Sequence, residues 1–384
     1  MRVFRLGDSG PAIVEISAIL VSLGLLAERD ADVYDAEVVN AVSAFQQDRG
    51  LSVDGQVGPE TWRSLDAARW RFGSRTLQHS AANQPVGEDV RALQERLLEI
   101  GYDPRRADGV YGADTARAVA QFQREVGLPA DGICGPHTLT ALSRLGRKVI
   151  GGRPLWLREA ERFRQSGPHL IGKTIVIDPG HGGTDRGVTA ARHGTTLAEA
   201  DLTFDLAARL QGRLTAAGMR AHLTRGPEPG RPIDDLARAD LANTLDADLF
   251  ISLHIDGHRS PVANGVAAFH YGAANGITST VGERLAGLVQ REIVARAGLN
   301  DCRTHAKSWE LLRLTRMPAV RVDVGYLTSP VDRERLASAP LRDRVVDAVA
   351  AAVQRMYYPI EQDVPTGSID VRALRARLRT PLSN

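Results

Sequence analysis

The feature that most constrains the fold is an internal repeat near the start of the chain. A stretch of sequence recurs 77 positions later, and every matched pair keeps that same offset. The matches fall mostly on turn glycines and on apolar or aromatic positions. They include Phe45 with Phe122, Asp54-Gly55 with Asp131-Gly132, and Gly58-Pro59 with Gly135-Pro136. One register kept over this length indicates two copies of one small structural unit.

Each copy predicts three short helices. The first is amphipathic and ends at Gly24 or Gly101, as glycine favours a helix C-cap. The second carries the phenylalanine on its apolar face, and the Asp-Gly pair predicts the turn that follows. Proline then opens the third helix, where its missing N–H costs nothing. We expect the two copies to form helical domains at residues 1–76 and 77–148.

The pattern changes at residue 173, where apolar runs of strand length begin to alternate with amphipathic helical stretches. The expected strands are 173–180, 219–225, 247–256, 265–271 and 318–327, and the expected helices are 199–218, 234–245, 282–298 and 341–357. This alternation predicts an α/β domain over residues 173–360, with a mostly parallel twisted sheet flanked by helices. The chain is therefore expected to be multidomain, with a linker at 149–172 and a C-terminal tail at 361–384.

Composition excludes several classes of protein. The formal net charge of +2 is too small for a nucleic-acid-binding footprint. No run of about 18 apolar residues predicts a membrane span. No signal peptide is evident, so the expected location is cytoplasmic. An extracellular or cell-wall location stays open, through non-classical export or a start codon assigned downstream of a signal peptide.

Three residues of the α/β region could form a metal site. His181 follows a buried strand in "IDPGHGG", Glu199 begins the next helix, and His254 ends the strand "ISLHID". In α/β sheets, functional residues gather where strands end. Taken singly, a strand-end histidine is most often packed, and a first-turn glutamate complements the helix dipole. Together, two imidazoles and one carboxylate are the ligand set of catalytic zinc sites, which keep a fourth position open for water.

These motifs resemble the Amidase_3-type zinc N-acetylmuramoyl-L-alanine amidases over about residues 173–358. The repeats resemble the peptidoglycan-binding domain that accompanies cell-wall hydrolases. The resemblance implies that His181, Glu199 and His254 bind zinc. It also implies hydrolysis of the amide between N-acetylmuramic acid and L-alanine, with peptidoglycan or a muropeptide as the partner.

The chain departs from the family pattern at one site residue. A late strand in "MPAVRVDVGYLTSP" has Asp323 where the family has a glutamate that acts as the catalytic base. The resemblance assigns that role to Asp323, whose side chain is one methylene shorter. A misplacement of about 1 Å can cost roughly 10²-fold in rate, so we expect attenuated activity. The alternative is a structural carboxylate on a buried strand, paired with an arginine.

A second departure lies in the first repeat, where "RDADVYDAEVVNAVSAFQ" replaces an Asp-Gly turn of the second copy. Wall binding by this copy is therefore an open question. The alternative to an active amidase is a catalytically weak or inactive amidase-like regulator of peptidoglycan synthesis, partnered with a cytoplasmic cell-wall synthesis protein. Thr366 and Ser368 in the tail are candidate phosphorylation sites for such a role. The natural substrate form and the oligomeric state stay open.

Overall fold

The computed structural model describes residues 2–27, 32–80, 84–105, 107–144, 161, 163, 167, 169–227, 232–272 and 278–358. The chain divides into two compact units, residues 1–153 and 154–384. Most of the predicted linker lies outside the described residues. So does the predicted tail with Thr366 and Ser368.

The first unit contains the predicted three helices in each copy. They are α1 (Pro11–Ser22), α2 (Ala36–Arg49), α3 (Pro59–Ala68), α4 (Glu88–Ile100), α5 (Ala113–Glu125) and α6 (Pro136–Arg144). Phe45 and Phe122 are buried in two separate apolar cores, one for each copy. Gly101 caps α4 in the left-handed conformation, with φ of 98°. The helical organisation of both repeats is confirmed.

A buried glutamine ties each Asp-Gly turn to the helix before it. In the second copy, the Gln123 side chain donates to the Asp131 carboxylate at 2.7 Å, to the Ile133 carbonyl at 2.9 Å and to Thr138 Oγ1 at 3.0 Å. Its oxygen accepts from the Gly132 N–H at 2.9 Å. The amide therefore uses both its donors and its acceptor within the repeat.

The same arrangement occurs twice more. Its members are Gln46 with Asp54, Gly55, Gln56 and Thr61, and Gln94 with Asp108, Gly109, Val110 and Thr115. The fourth position expected from the 77-residue offset is Ser17, which stands where the second copy has Gln94. The Ser17 hydroxyl is buried, and no described residue forms a hydrogen bond with it. The first repeat thus lacks the glutamine network at Ser17, the position equivalent to Gln94.

The second unit is an α/β domain. Its strands are β1 (Thr174–Pro179), β2 (Thr189–Arg192), β3 (Thr195–Ala198), β4 (Arg220–Leu223), β5 (Leu249–Asp256), β6 (Val266–Tyr271), β7 (Asp301–Lys307) and β8 (Ala319–Tyr326). Its helices are α7 (Glu199–Ala216), α8 (Asp235–Thr244), α9 (Thr280–Ala297), α10 (Glu310–Leu314), α11 (Pro330–Ala337) and α12 (Ala339–Met356). The main sheet has the order β4-β1-β5-β8-β6-β7.

The first four strands of that order are parallel, whereas β6 runs antiparallel to β8 and β7 runs parallel to β6. The prediction of a mostly parallel sheet flanked by helices is confirmed. Helices α7, α9 and α12 cover one face with the largest apolar core. Helices α8 and α10 cover the other face with a smaller core. Among the described residues, no helix has both the length and the apolar composition needed to cross a bilayer.

Alternation along β5 separates the two faces. Leu253 and Ile255 belong to the larger core, and Phe250 belongs to the smaller one. Since side chains alternate across a strand, Ser252 and His254 share the face of Phe250. On this face, the apolar side chains of the smaller core therefore give way to the polar side chains of Ser252 and His254 toward the carboxyl end of β5.

Among the described residues of this unit, the sequence did not predict five short elements: strands β2 and β3, which form a hairpin, the edge strand β7, and helices α10 and α11. The hairpin and β7 are largely exposed and rich in polar residues. They consequently lack the hydrophobic periodicity that marks buried elements.

Candidate metal centre

His181 lies in the turn that follows β1, within hydrogen-bonding distance of a carboxylate. Its φ of +60° is in the left-handed region, and Gly182 and Gly183 also have positive φ. A non-glycine residue in such a conformation costs about 1–3 kcal/mol and persists only when its surroundings hold it. His181 Nδ1 lies 2.7 Å from Asp185 Oδ2. This contact leaves the Nε2 edge of the ring directed toward the rest of the site.

Glu199 is the first residue of α7, as predicted, and its side chain is buried. The β2–β3 hairpin leads directly into it. Two backbone groups fix the carboxylate: Oε2 accepts from the Val188 N–H, and Oε1 accepts from the Ile255 N–H, both at 3.0 Å. The orientation of Glu199 is therefore set by the hairpin on one side and by β5 on the other.

The structure brings the three predicted metal ligands together. Glu199 Oε1 lies 3.0 Å from His181 Nε2 and 3.0 Å from His254 Nδ1. The two imidazole rings are 5.0 Å apart and nearly perpendicular, at 80°. One ligand atom from each residue can be chosen so that all lie within 4.8 Å of one another. Two ring nitrogens and one carboxylate oxygen, with Asp185 orienting a histidine, form a donor set that fits zinc.

Two glycines make this convergence possible. A Cβ added at Gly180 would lie 2.3 Å from His254 Cε1, and one added at Gly187 would lie 2.5 Å from Glu199 Oε2. Gly187 also has a φ of +61°, which disfavours any other residue. The side chains of His181, Glu199 and His254 can approach one another only because Gly180 and Gly187 lack a Cβ.

Electrostatics draw positive charge to the centre of the cluster. Burial alone would raise the pKa of Glu199, but His181 and His254 outweigh it and hold that pKa well below its usual value. Burial alone would lower the pKa of His181, yet Glu199 and Asp185 raise it to about 10. Burial and the nearby Arg321 lower the pKa of His254. A buried carboxylate that attracts a cation in this way is suited to a divalent metal.

Asp323, the predicted catalytic base, lies in β8 directly opposite His254 in the strand register. It is buried, and the structure places it beside the three candidate metal ligands but not in their cluster. Its Oδ1 accepts from Arg321 Nε at 2.7 Å, with a longer contact of 3.4 Å between Oδ2 and Arg321 Nη2. The Arg321 guanidinium also lies 4.8 Å from the Trp309 ring centre. The pairing with an arginine matches the structural alternative that the sequence left open.

The site contains two further carboxylates that the sequence analysis missed. Asp185 orients His181, as described above. Asp256 follows His254 by two residues, and burial, reinforced by the neighbouring Asp323, raises the pKa of Asp256 to about 7. The i, i+2 spacing in "HID" was the available signal, because such residues share one face of a strand.

Two sequence families match the chain. The family described as N-acetylmuramoyl-L-alanine amidase matches residues 175–355. The family described as putative peptidoglycan binding domain matches residues 9–65 and 86–142. The second family therefore covers both repeats, including the first copy with its altered turn.

Individual relatives agree with these families. The N-acetylmuramoyl-L-alanine amidase CwlM of Mycobacterium tuberculosis is 47% identical over 382 residues, which covers 97% of this chain and 94% of that protein. The N-acetylmuramoyl-L-alanine amidase LytC of Bacillus subtilis is 30% identical over 47% of this chain and 34% of its own length. Among solved structures, an N-acetylmuramoyl-L-alanine amidase from Clostridium difficile 630 has 28% identity and a TM-score of 0.43, over 47% of this chain and 95% of that one.

Proposed function

This chain belongs to the N-acetylmuramoyl-L-alanine amidase family, and from that membership we propose that it is a zinc-dependent hydrolase of peptidoglycan. The bond cleaved would be the amide between N-acetylmuramic acid and L-alanine, with the repeats binding the wall. The observation that carries the proposal is the convergence of His181, Glu199 and His254 on one another. Three residues from distant parts of the sequence meet there with a ligand set typical of catalytic zinc.

In this mechanism, each residue has a separate task. His181, Glu199 and His254 would hold the metal, and Asp185 would keep the His181 ring oriented through Nδ1. Zinc, when bound, supplies Lewis acidity for the scissile carbonyl and acidifies water. The Asp323 carboxylate would accept the proton of the attacking water. Its Oδ1 already accepts a hydrogen bond from Arg321 Nε at 2.7 Å, so part of its accepting capacity is occupied.

The test is release of L-alanine-terminated peptide from muropeptides by the zinc-loaded full chain. We expect slow release by the parent, no release by His254→Ala, and a loss of about 10²-fold or more in Asp323→Ala, the usual contribution of a general base. A parent that binds no zinc would sink the proposal. Release that persists unchanged in Asp323→Ala would remove Asp323 from the mechanism.

A second candidate function follows from the contact between Arg321 and Asp323. If the ion pair keeps Asp323 from acting as a base, the domain would be a catalytically weak or inactive amidase-like regulator of peptidoglycan synthesis. No release by the parent, together with release gained in Asp323→Glu, would support this role. Fractionation of the host cell tests the cytoplasmic location that the regulator requires, and recovery in the wall fraction would count against it.

A further inference from the structure

Arg238, on α8, is a buried arginine whose side chain reaches the turn that carries His181. It is 5% exposed. Its Nη1 donates to Asp178 Oδ1 at 2.5 Å and to the Pro179 carbonyl at 3.0 Å. Its Nη2 donates to the carbonyl of His181 itself at 2.8 Å. One guanidinium therefore binds both ends of the segment that leads from β1 into the left-handed residue.

Asp178 fixes the position of this guanidinium. It is fully buried near the end of β1. Besides Arg238, its carboxylate accepts hydrogen bonds from Thr224 Oγ1 at 2.5 Å and from Ser252 Oγ at 2.6 Å. A buried carboxylate with this many donors is held rigidly, and a charge-assisted bond to it restricts Arg238 in turn.

Arg225, which follows β4, binds the same turn from another side. Its Nε donates to the Pro179 carbonyl at 3.0 Å, and its Nη2 donates to the Gly180 carbonyl at 3.1 Å. The same Nη2 donates at 2.8 Å to the carbonyl of Ala200, the residue after Glu199. Arg225 thus connects the His181 turn to the first turn of α7, which carries the second ligand.

From this geometry we propose that Arg225 and Arg238 are positioning residues that set the zinc affinity of the site. They hold His181 in its left-handed conformation and fix the backbone of His181 relative to that of Glu199. The inference rests on the zinc site proposed above. Without the two guanidinium groups, the Pro179 and His181 carbonyls would lose the donors described above, while the Gly180 carbonyl would keep its hydrogen bond from Thr203 Oγ1. The turn would then relax toward ordinary dihedrals.

The experiment compares zinc dissociation constants, by competition with a chelator, for the parent, Arg225→Met and Arg238→Met. We expect each variant to bind zinc about 10- to 100-fold more weakly, the range found when groups that orient metal ligands are removed. Arg238→Lys keeps the positive charge but lacks the planar guanidinium with its several donors. Its zinc affinity should therefore lie between those of Arg238→Met and the parent.

Arg355→Met is the matched control. Arg355 is 4% exposed in the same domain and pairs with the buried Glu292 between α12 and α9. This variant should lower the Tm at least as much as Arg238→Met while leaving the zinc dissociation constant within about 2-fold. That split separates positioning of the ligands from general support of the fold.

Unchanged zinc affinity in folded Arg225 and Arg238 variants overturns the inference and leaves the proposed function standing. An equal loss of affinity in Arg355→Met also overturns it, since any destabilisation would then suffice. If the Met variants do not fold, a zinc affinity of Arg238→Lys equal to that of the parent also overturns the inference. A parent that binds no zinc overturns the proposed function and this inference with it.

Discussion

The helical repeats and the α/β domain both bury polar side chains beneath glycine-containing turns, but they satisfy those side chains in opposite ways. In the repeats, Gln123 bonds its donors and its acceptor to its own turn. In the α/β domain, Glu199 Oε1 faces ring nitrogens of both His181 and His254. A network whose donors match its acceptors is complete by itself. A carboxylate between two imidazoles instead offers a binding position for a cation. The glutamine network therefore stabilises its repeat, whereas the His181, Glu199 and His254 cluster is suited to binding a ligand.

The largest expected effect is a response to zinc that is confined to the α/β domain. Zinc at 1,000 times its dissociation constant should raise the free energy of unfolding of that domain by about 4 kcal/mol, because it binds only the folded site. Hydrogen exchange of the full chain, with and without a chelator, measures this in both units. Residues 1–153 should show unchanged protection. Equal gains in both units would contradict the comparison.

A charged group in the glutamine network should have the next largest effect. Gln123→Glu removes two donors and places a carboxylate against Asp131, so it should destabilise the second repeat by about 3 kcal/mol or more. Chemical denaturation monitored by hydrogen exchange in residues 84–142 measures the change. The matched variant Glu199→Gln should abolish zinc binding while the repeats keep their stability. An unchanged stability of the second repeat in Gln123→Glu would show that the repeat does not depend on the Gln123 hydrogen bonds.

The smallest expected effects are changes in the free energy of unfolding at Gln94 and Ser17, two positions that are equivalent under the 77-residue offset. Gln94→Ala leaves the Gly109 N–H and its neighbours without their partner and should cost about 2 kcal/mol. Ser17→Ala removes a buried hydroxyl with no hydrogen-bond partner among the described residues, so the free energy of unfolding should change by no more than about 0.5 kcal/mol. Denaturant midpoints of the two variants measure the contrast. Similar losses in both would mean that Ser17 also supports its repeat.

The sequence predicted those parts of the molecule whose signals are local or repeated. The two copies follow from a shared register, and the strand ends that present His181 and His254 follow from buried apolar runs beside glycines. The β2–β3 hairpin and β7 are not predicted because they are largely exposed and rich in polar residues, so they lack a clear hydrophobic periodicity. The partner of Asp323 could not be chosen from the sequence, although Arg321 stands two positions away on the same strand face. The contacts of Arg225 and Arg238 join distant segments, and only the folded chain brings those segments together.

At the proposed zinc site, the hydrogen bonds that hold the His181 turn would also affect the kinetics of metal exchange. Arg225 joins that turn to α7 through the Ala200 carbonyl. An incoming ion would meet the proposed ligands already in place, so its association rate would be set by encounter and by loss of its water shell rather than by ordering of a loop. Dissociation through an opened turn would first have to break the bonds to the two arginines. Such a site would exchange its metal slowly, and the protein would keep its ion through brief scarcity.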